Sequence, residues 1–238
     1  MRSALKGVLA AICVMTATVV IAQDGYEFVP KSFDGIGKAY MGREIAQVMS
    51  YQGAPWLERP NREQQERTDI LVNLLNIKST DYIADIGAGS GYFSFRMAKL
   101  APKGYVFAVD VQEEMLALIK DKIATGEGDN VIPVHGSTAS PKLKESTIDL
   151  MLLVDVYHEF SMPREMGLAM LKALKPGGRL ALVEYRAEDP TVPIKELHKM
   201  TEAQARLEMD AVGFEWVSTD SMSLPWQHLM IFKKPESM

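Results

Sequence analysis

Thiol chemistry is almost absent from these 238 residues. The one cysteine, Cys13, lies inside an apolar N-terminal segment. Once that segment is removed no thiol is left, which excludes disulfides and thiolate catalysis. There is also no Lys/Arg block, and the formal charge is −5. A nucleic-acid substrate would leave a basic stripe, so no nucleic-acid partner is expected. No segment repeats at a solenoid period, and no low-complexity tract interrupts the chain. Histidine is scarce, at four residues. No His/Cys/Asp group has metal-ligand spacing along the chain, so no metal is expected.

What remains is an ordinary globular composition, 47% hydrophobic and 24% charged. That length suits one domain with a sizeable core. At the N-terminus, Arg2 and Lys6 precede Gly7 to Ala22, a stretch with no charged residue, and Val20-Ile-Ala22 supplies small residues before Gln23. Residues 1–22 therefore read as a secretory signal peptide. The run is short against the ~20 residues of a membrane span, so no stable span is expected after cleavage. Ile12 before Cys13 argues against a lipoprotein. Loss of Arg2 and Lys6 would take the charge from −5 to −7. Export to the periplasm is the expectation; an uncleaved anchor, or a cytoplasmic protein starting at a downstream Met such as Met15 or Met41, are the alternatives.

The chemistry-bearing stretch is Tyr82-Ile-Ala-Asp85-Ile-Gly87-Ala-Gly89-Ser-Gly91-Tyr-Phe93. An apolar run ending in an acid, three alternate glycines and then helical periodicity describe a strand, a tight turn and a helix start. A dinucleotide fingerprint would place its third glycine at Tyr92, and no Gly-Lys-Ser/Thr of a P-loop follows. Tyr105 to Asp110 is a second strand, ending in an acid placed to accept hydrogen bonds from ribose hydroxyls. The near-continuous apolar run from Ser146 to Asp155 suits a strand buried on both faces. His158 lies just past it, where its neutral ring can take a proton near pH 7.

Acid-x-Gly-x-Gly-x-Gly resembles motif I of the class I S-adenosylmethionine-dependent methyltransferases. Asp110 and Leu174-Lys-Pro-Gly-Gly-Arg-Leu180 follow in that family's order and intervals. The resemblance covers about residues 60–235, and its nearest flavour is the type 11-like group of small-molecule enzymes related to the quinone and arsenite methyltransferases. It implies an α/β, Rossmann-like seven-stranded sheet, mostly parallel with an antiparallel last strand and helices on both faces. It implies S-adenosyl-L-methionine held by Asp85, Gly87, Gly89, Gly91, Asp110 and Asp155, with Val111 stacked on adenine. Asp85 would receive the methionine ammonium, and the loop N–H groups its carboxylate. Ser137 and Thr138 stand where the family commonly carries an aspartate for the adenine amino group, a departure from its pattern.

The acceptor is expected to be a small molecule, aligned for in-line displacement with His158 as base. Trp56, Tyr157, Glu184, Tyr185, Arg186, His198 and His228 are the expected substrate-pocket residues, while His135 ends its strand. Residues 23–59 read as a linker carrying a short amphipathic helix over Met41–Met49, a lid-like segment in which Trp56 and Arg59 flank a Pro/Gly break. A second helix is expected from Asn61 to Leu75. Two rival functions stand beside the enzyme. One is an exported protein that binds S-adenosylmethionine or a nucleoside without turnover; the other, a nicotinamide oxidoreductase, is disfavoured by Tyr92.

Overall fold

The computed structural model describes residues 24–236. The predicted signal peptide and Cys13 lie outside them. The first described segment corrects the sequence reading, because Met41–Met49 is not a helix. Strands β1 (Tyr26–Phe28), β2 (Gly35–Tyr40) and β3 (Arg43–Ala46) form a small antiparallel sheet. Apolar positions 41, 45, 48 and 49 fit a helical period, but the residues that bury are adjacent pairs, Ala39–Tyr40 and Ile45–Ala46. Between them Met41 and Gly42 both take positive φ, 49° and 88°. Two left-handed residues in succession make the tight hairpin turn whose twist matches flanking strands.

Three short helices follow: α1 (Ala54–Leu57), α2 (Arg62–Glu66) and α3 (Thr68–Leu74). The single helix expected over 61–75 is broken at Arg67, which has φ 52°. The break sets the Arg62/Glu66 turn apart from α3, whose Leu71 and Val72 pack on the sheet.

The main sheet then runs as expected. Its elements are β4 (Tyr82–Ile86), α4 (Tyr92–Leu100), β5 (Tyr105–Asp110), α5 (Glu113–Ala124), β6 (Val131–His135), β7 (Ile148–Val154) and α6 (Pro163–Ala173). They continue with β8 (Leu174–Arg186), β9 (Lys199–Met200), α7 (Glu202–Ala211), β10 (Glu215–Asp220) and β11 (Gln227–Lys233). The strand order is β10-β11-β8-β7-β4-β5-β6, with two-residue β9 attached to β8. β11 pairs antiparallel with β8 and β10, while β4 to β8 are mutually parallel. The family-type sheet thus forms as anticipated, with β9 added. Lys175-Pro-Gly-Gly178, expected as a turn, is the irregular beginning of β8, and its register against β7 shifts between Ile148 and Leu150.

Strand alternation divides the core. Ile83, Leu150 and Leu152 face Leu71, Met97 and Ile119 from α3, α4 and α5. Ala84, Met151 and Leu153 face Met166 and Met170 of α6 and Met209 of α7. Both faces of the parallel strands are therefore covered, which explains why β7 reads as an unbroken apolar run. The carboxyl ends of β4, β5, β7 and β8 are left to form a crevice.

Candidate active site

That crevice is a cavity of about 480 Å³. Gly87, Gly89, Asp110, Val111, Ser137, Thr138, Asp155, Tyr185, His158, His198 and Trp56, all anticipated from sequence, line it. Val48, Met49, Trp56 and Leu57 form one wall, so the N-terminal segment does border the pocket. It is tied there by Tyr51 N–H donating to Gln112 Oε1 (2.8 Å) and Gln112 Nε2 donating to the Met49 carbonyl (3.0 Å).

At the glycine loop, Gly87 and Gly89 have φ 74° and 55°. A Cβ on Gly87 would sit 2.5 Å from Val156 Cγ2, and one on Gly89 2.5 Å from Leu57 Cδ1. Left-handed backbone and close approach both demand glycine here. Three of the loop N–H groups expected to meet a ligand carboxylate are bonded within the protein. Gly87 and Ala88 N–H donate to the Val109 carbonyl (2.8 and 2.9 Å), and Gly89 N–H donates to Asp110 Oδ2 (2.9 Å). Asp110 Oδ1 accepts from Gln112 N–H (2.9 Å). This carboxylate therefore shapes the loop as well as bordering the cavity, and burial raises its pKa against those donors.

Several anticipated residues lie away from the cavity wall. Asp85 is 3% exposed and sits behind the loop, accepting from Ser94 Oγ at 2.6 Å. With little else to solvate it, burial pushes its carboxyl up to about 6. Gly91 faces Phe95 and Ile119. Tyr157 is buried beneath the site, and Glu184 is fully buried behind His158. Arg186 donates to the carbonyls of Leu224, Pro225 and Gln227, at 3.1, 2.6 and 2.7 Å, and so ties the entry to β11. His228 is buried on β11, where burial lowers its pKa. Side chains of alternate residues along a strand point to opposite faces, and sequence position at a strand end does not say which way each one turns.

Asp155, unlike Asp85, faces the cavity. It lines the cavity, holds a strained φ of 50°, and its Oδ1 is shielded from water without a hydrogen-bond partner. Burial, then Glu66 and Glu184, raise its pKa well above the ordinary carboxylate range. Non-glycine residues in this backbone region cost energy and cluster at functional sites. Nearby, Glu66 accepts from Arg59, Arg62 (2.9 Å) and Tyr185 Oη (3.0 Å). Burial works to raise the Glu66 pKa, but Arg62 and Arg59 hold it below the ordinary value. Sequence reasoning missed this group; Arg62 and Glu66 at i, i+4 were its only local trace.

At the far end, His158 Nδ1 donates to Glu184 Oε2 at 2.6 Å. Glu184 Oε1 also accepts from Tyr157 N–H (2.9 Å). Burial pulls the His158 pKa down, yet Glu184 more than offsets it and the net direction is up. His158 Nε2 stands 3.0 Å from His198 Nδ1. Arg43 makes a bidentate pair with fully buried Glu208 (2.7 and 2.8 Å) and donates to the His158 carbonyl at 3.1 Å. The N-terminal sheet thereby clamps this end of the cavity.

Among known proteins, residues 83–178 match the family model described as "Methyltransferase domain". An uncharacterized methyltransferase-like protein of Schizosaccharomyces pombe is 33% identical over 147 residues, covering 62% of this chain and 54% of that one. A demethylmenaquinone methyltransferase of Listeria monocytogenes is 26% identical over 127 residues, 51% of each chain. The chain thus spans about half the length of these curated relatives. A crystal structure of a SAM-dependent methyltransferase from Aquifex aeolicus superposes with a TM-score of 0.73 at 20% identity, covering 79% of this chain and all of that one. Sheet order, cavity and matched region together define a domain with the class I, S-adenosylmethionine-dependent methyltransferase fold. The structure of a "putative type 11 methyltransferase" from Sulfolobus solfataricus superposes with a TM-score of 0.60 at 19% identity, covering 73% of this chain and 95% of that one, a likeness of fold.

Proposed function

We propose that the chain binds S-adenosyl-L-methionine and passes its methyl group to a small-molecule acceptor by in-line displacement. The observation that carries this reading is the cavity wall at the strand ends. Asp110 and the unpartnered, shielded Asp155 oxygen are carboxyl groups suited to a ligand that is a nucleoside and a cation at once, Asp155 giving up its proton to the incoming cation. Asp110 has lone pairs left for ribose hydroxyls after its two backbone bonds. Asp155 is the receptor for the ammonium. Ile86, Val109, Val111 and Met115 give adenine an apolar slot, and Ser137 or Thr138 serves its amino group. When bound, the cofactor supplies a methyl group on a sulfonium that a nucleophile can attack directly.

The protein's part is alignment and exclusion of water. The wall formed by residues of the 23–59 segment keeps water out, and the methyltransferase domain proper is residues 60–235. The His158–Glu184 pair borders the place of the acceptor's nucleophilic atom, with Tyr185 and His198 beside it. Residues 1–22 act as an export signal, a reading supported by their charge and hydropathy pattern; mass spectrometry of the secreted fraction should find a mature N-terminus at Gln23.

Incubation with methyl-labelled cofactor and a fractionated metabolite extract should label a small molecule, and His158→Ala should abolish labelling while S-adenosylhomocysteine still binds. Tight product binding with no transfer to any fraction would instead identify a non-catalytic nucleoside-binding protein.

A further inference from the structure

His158, Glu159 and His198 bring one atom each to a common point. His158 Nε2 to His198 Nδ1 is 3.0 Å, His198 Nδ1 to Glu159 Oε1 is 3.5 Å, and His158 Nε2 to Glu159 Oε1 is 3.9 Å. The outer nitrogen of each ring faces a carboxylate. His158 Nδ1 lies 2.6 Å from Glu184 Oε2, and His198 Nε2 lies 3.4 Å from Asp34 Oδ2. Asp34 Oδ2 is shielded from solvent with no hydrogen-bond donor of its own. A carboxylate only accepts, so His158 Nδ1 carries a proton toward Glu184. His158 Nε2, His198 Nδ1 and Glu159 Oε1 thus converge as three ligand atoms within 4.8 Å of one another. A proton can hold the two rings together, and a metal cation can take its place and engage the Glu159 oxygen as well.

The geometry points to a divalent transition-metal site of two histidines and one glutamate at the acceptor end of the cavity. Ligands about 2.1 Å from an ion, at tetrahedral or octahedral angles, stand roughly 3.0–3.4 Å apart, close to the separations found here. Two imidazoles with one carboxylate suit zinc, cobalt, iron or manganese, and disfavour magnesium, which prefers an all-oxygen shell. Glu184 and Asp34 supply the outer carboxylates that orient metal-bound histidines. His158 and His198 both border the cavity, so the ion's remaining positions open onto it. With Phe160, Ile36 and Ile194 around them, the acceptor would be a largely apolar molecule carrying one oxygen, nitrogen or sulfur donor. This last step rests on the methyltransferase reading; the metal site does not.

The test uses the full chain after chelator treatment, titrated with Co²⁺ and followed by visible absorption, with Zn²⁺ as competitor. One equivalent should bind and be displaced by Zn²⁺. His198→Ala and Glu159→Gln should each weaken binding at least 100-fold, and Asp34→Asn about tenfold. S-adenosylhomocysteine binding by calorimetry reports in parallel that each variant is folded. No Co²⁺ uptake by a chain that binds S-adenosylhomocysteine would overturn the proposal, as would uptake indifferent to His198→Ala. Co²⁺ uptake without any affinity for S-adenosylhomocysteine would leave the metal site standing and remove the cofactor reading.

Discussion

The glycine-loop end of the cavity and its histidine end differ in how far along the chain their parts come from. Asp85, the glycines, Asp110 and Gln112 all fall within one strand-turn-helix-strand unit, joined by backbone hydrogen bonds such as Gly89 N–H to Asp110. The histidine end draws Asp34 from before β2, His158 and Glu159 from beyond β7, Glu184 from β8 and His198 from the loop before β9. One end is held by local backbone geometry, the other by side chains meeting across the fold. The first should tolerate surgery on the N-terminal sheet, and the second should not.

The largest effect is expected at the clamp. Arg43→Ala leaves Glu208 charged and buried without its partner, which should cost about 3–5 kcal/mol in denaturant unfolding. The remaining folded protein should keep its affinity for S-adenosylhomocysteine within about twofold. A joint collapse of both would erase the distinction between the two ends.

Next comes Asp85, whose carboxyl titrates at about 6 in the folded chain against an ordinary 3.8. The folded state holds this proton more tightly than the unfolded state does. Its penalty is therefore absent below about pH 4, grows between 4 and 6, and is complete above that, at roughly 3 kcal/mol. Asp85→Asn should remove this component, so the variant gains on the parent as pH rises from 4 to 7. Superimposable stability–pH curves for the two proteins would show that Asp85 is not buried as described.

Asp110→Ala should weaken S-adenosylhomocysteine binding about 30-fold, roughly 2 kcal/mol, through both the lost ligand contact and the loosened loop. Calorimetry measures it, with Co²⁺ uptake as the control from the other end. Asp155 gives a subtler signal. A ligand ammonium beside Asp155 should lower its raised pKa, so S-adenosylhomocysteine binding should release protons in the parent at a pH where the free carboxyl is protonated, and fewer in Asp155→Asn. Binding enthalpies in buffers of differing ionisation heat would expose it. Smallest of all, Trp56→Ala removes a half-exposed ring stacked 3.8 Å from the Arg59 guanidinium. About 1 kcal/mol, near fivefold in ligand affinity, is the expected loss.

Much of the frame was legible because its signals are local. The apolar run of β7, the alternate glycines before α4 and the helical period of α5 each depend on neighbours within a few residues. The mostly parallel sheet with its antiparallel last strand followed from the family resemblance. The N-terminal segment was misread because four apolar positions at helical spacing also fit a hairpin once Met41 and Gly42 turn left-handed. Asp85 and Asp155 both end a strand as acids, and only packing decided that Asp155 alone lines the cavity.

By itself the sequence determined that a glycine-turned strand-helix unit would open a crevice at strand ends, since dihedral preference and hydrophobic period act over short range. Tertiary structure alone decided that His158, Glu159 and His198 would share a point in space. Forty residues separate the two histidines along the chain, and β8 with its buried Glu184 lies between them. No spacing rule spans that gap, because the distance between the rings is set by how the loop before β9 packs against the end of β7.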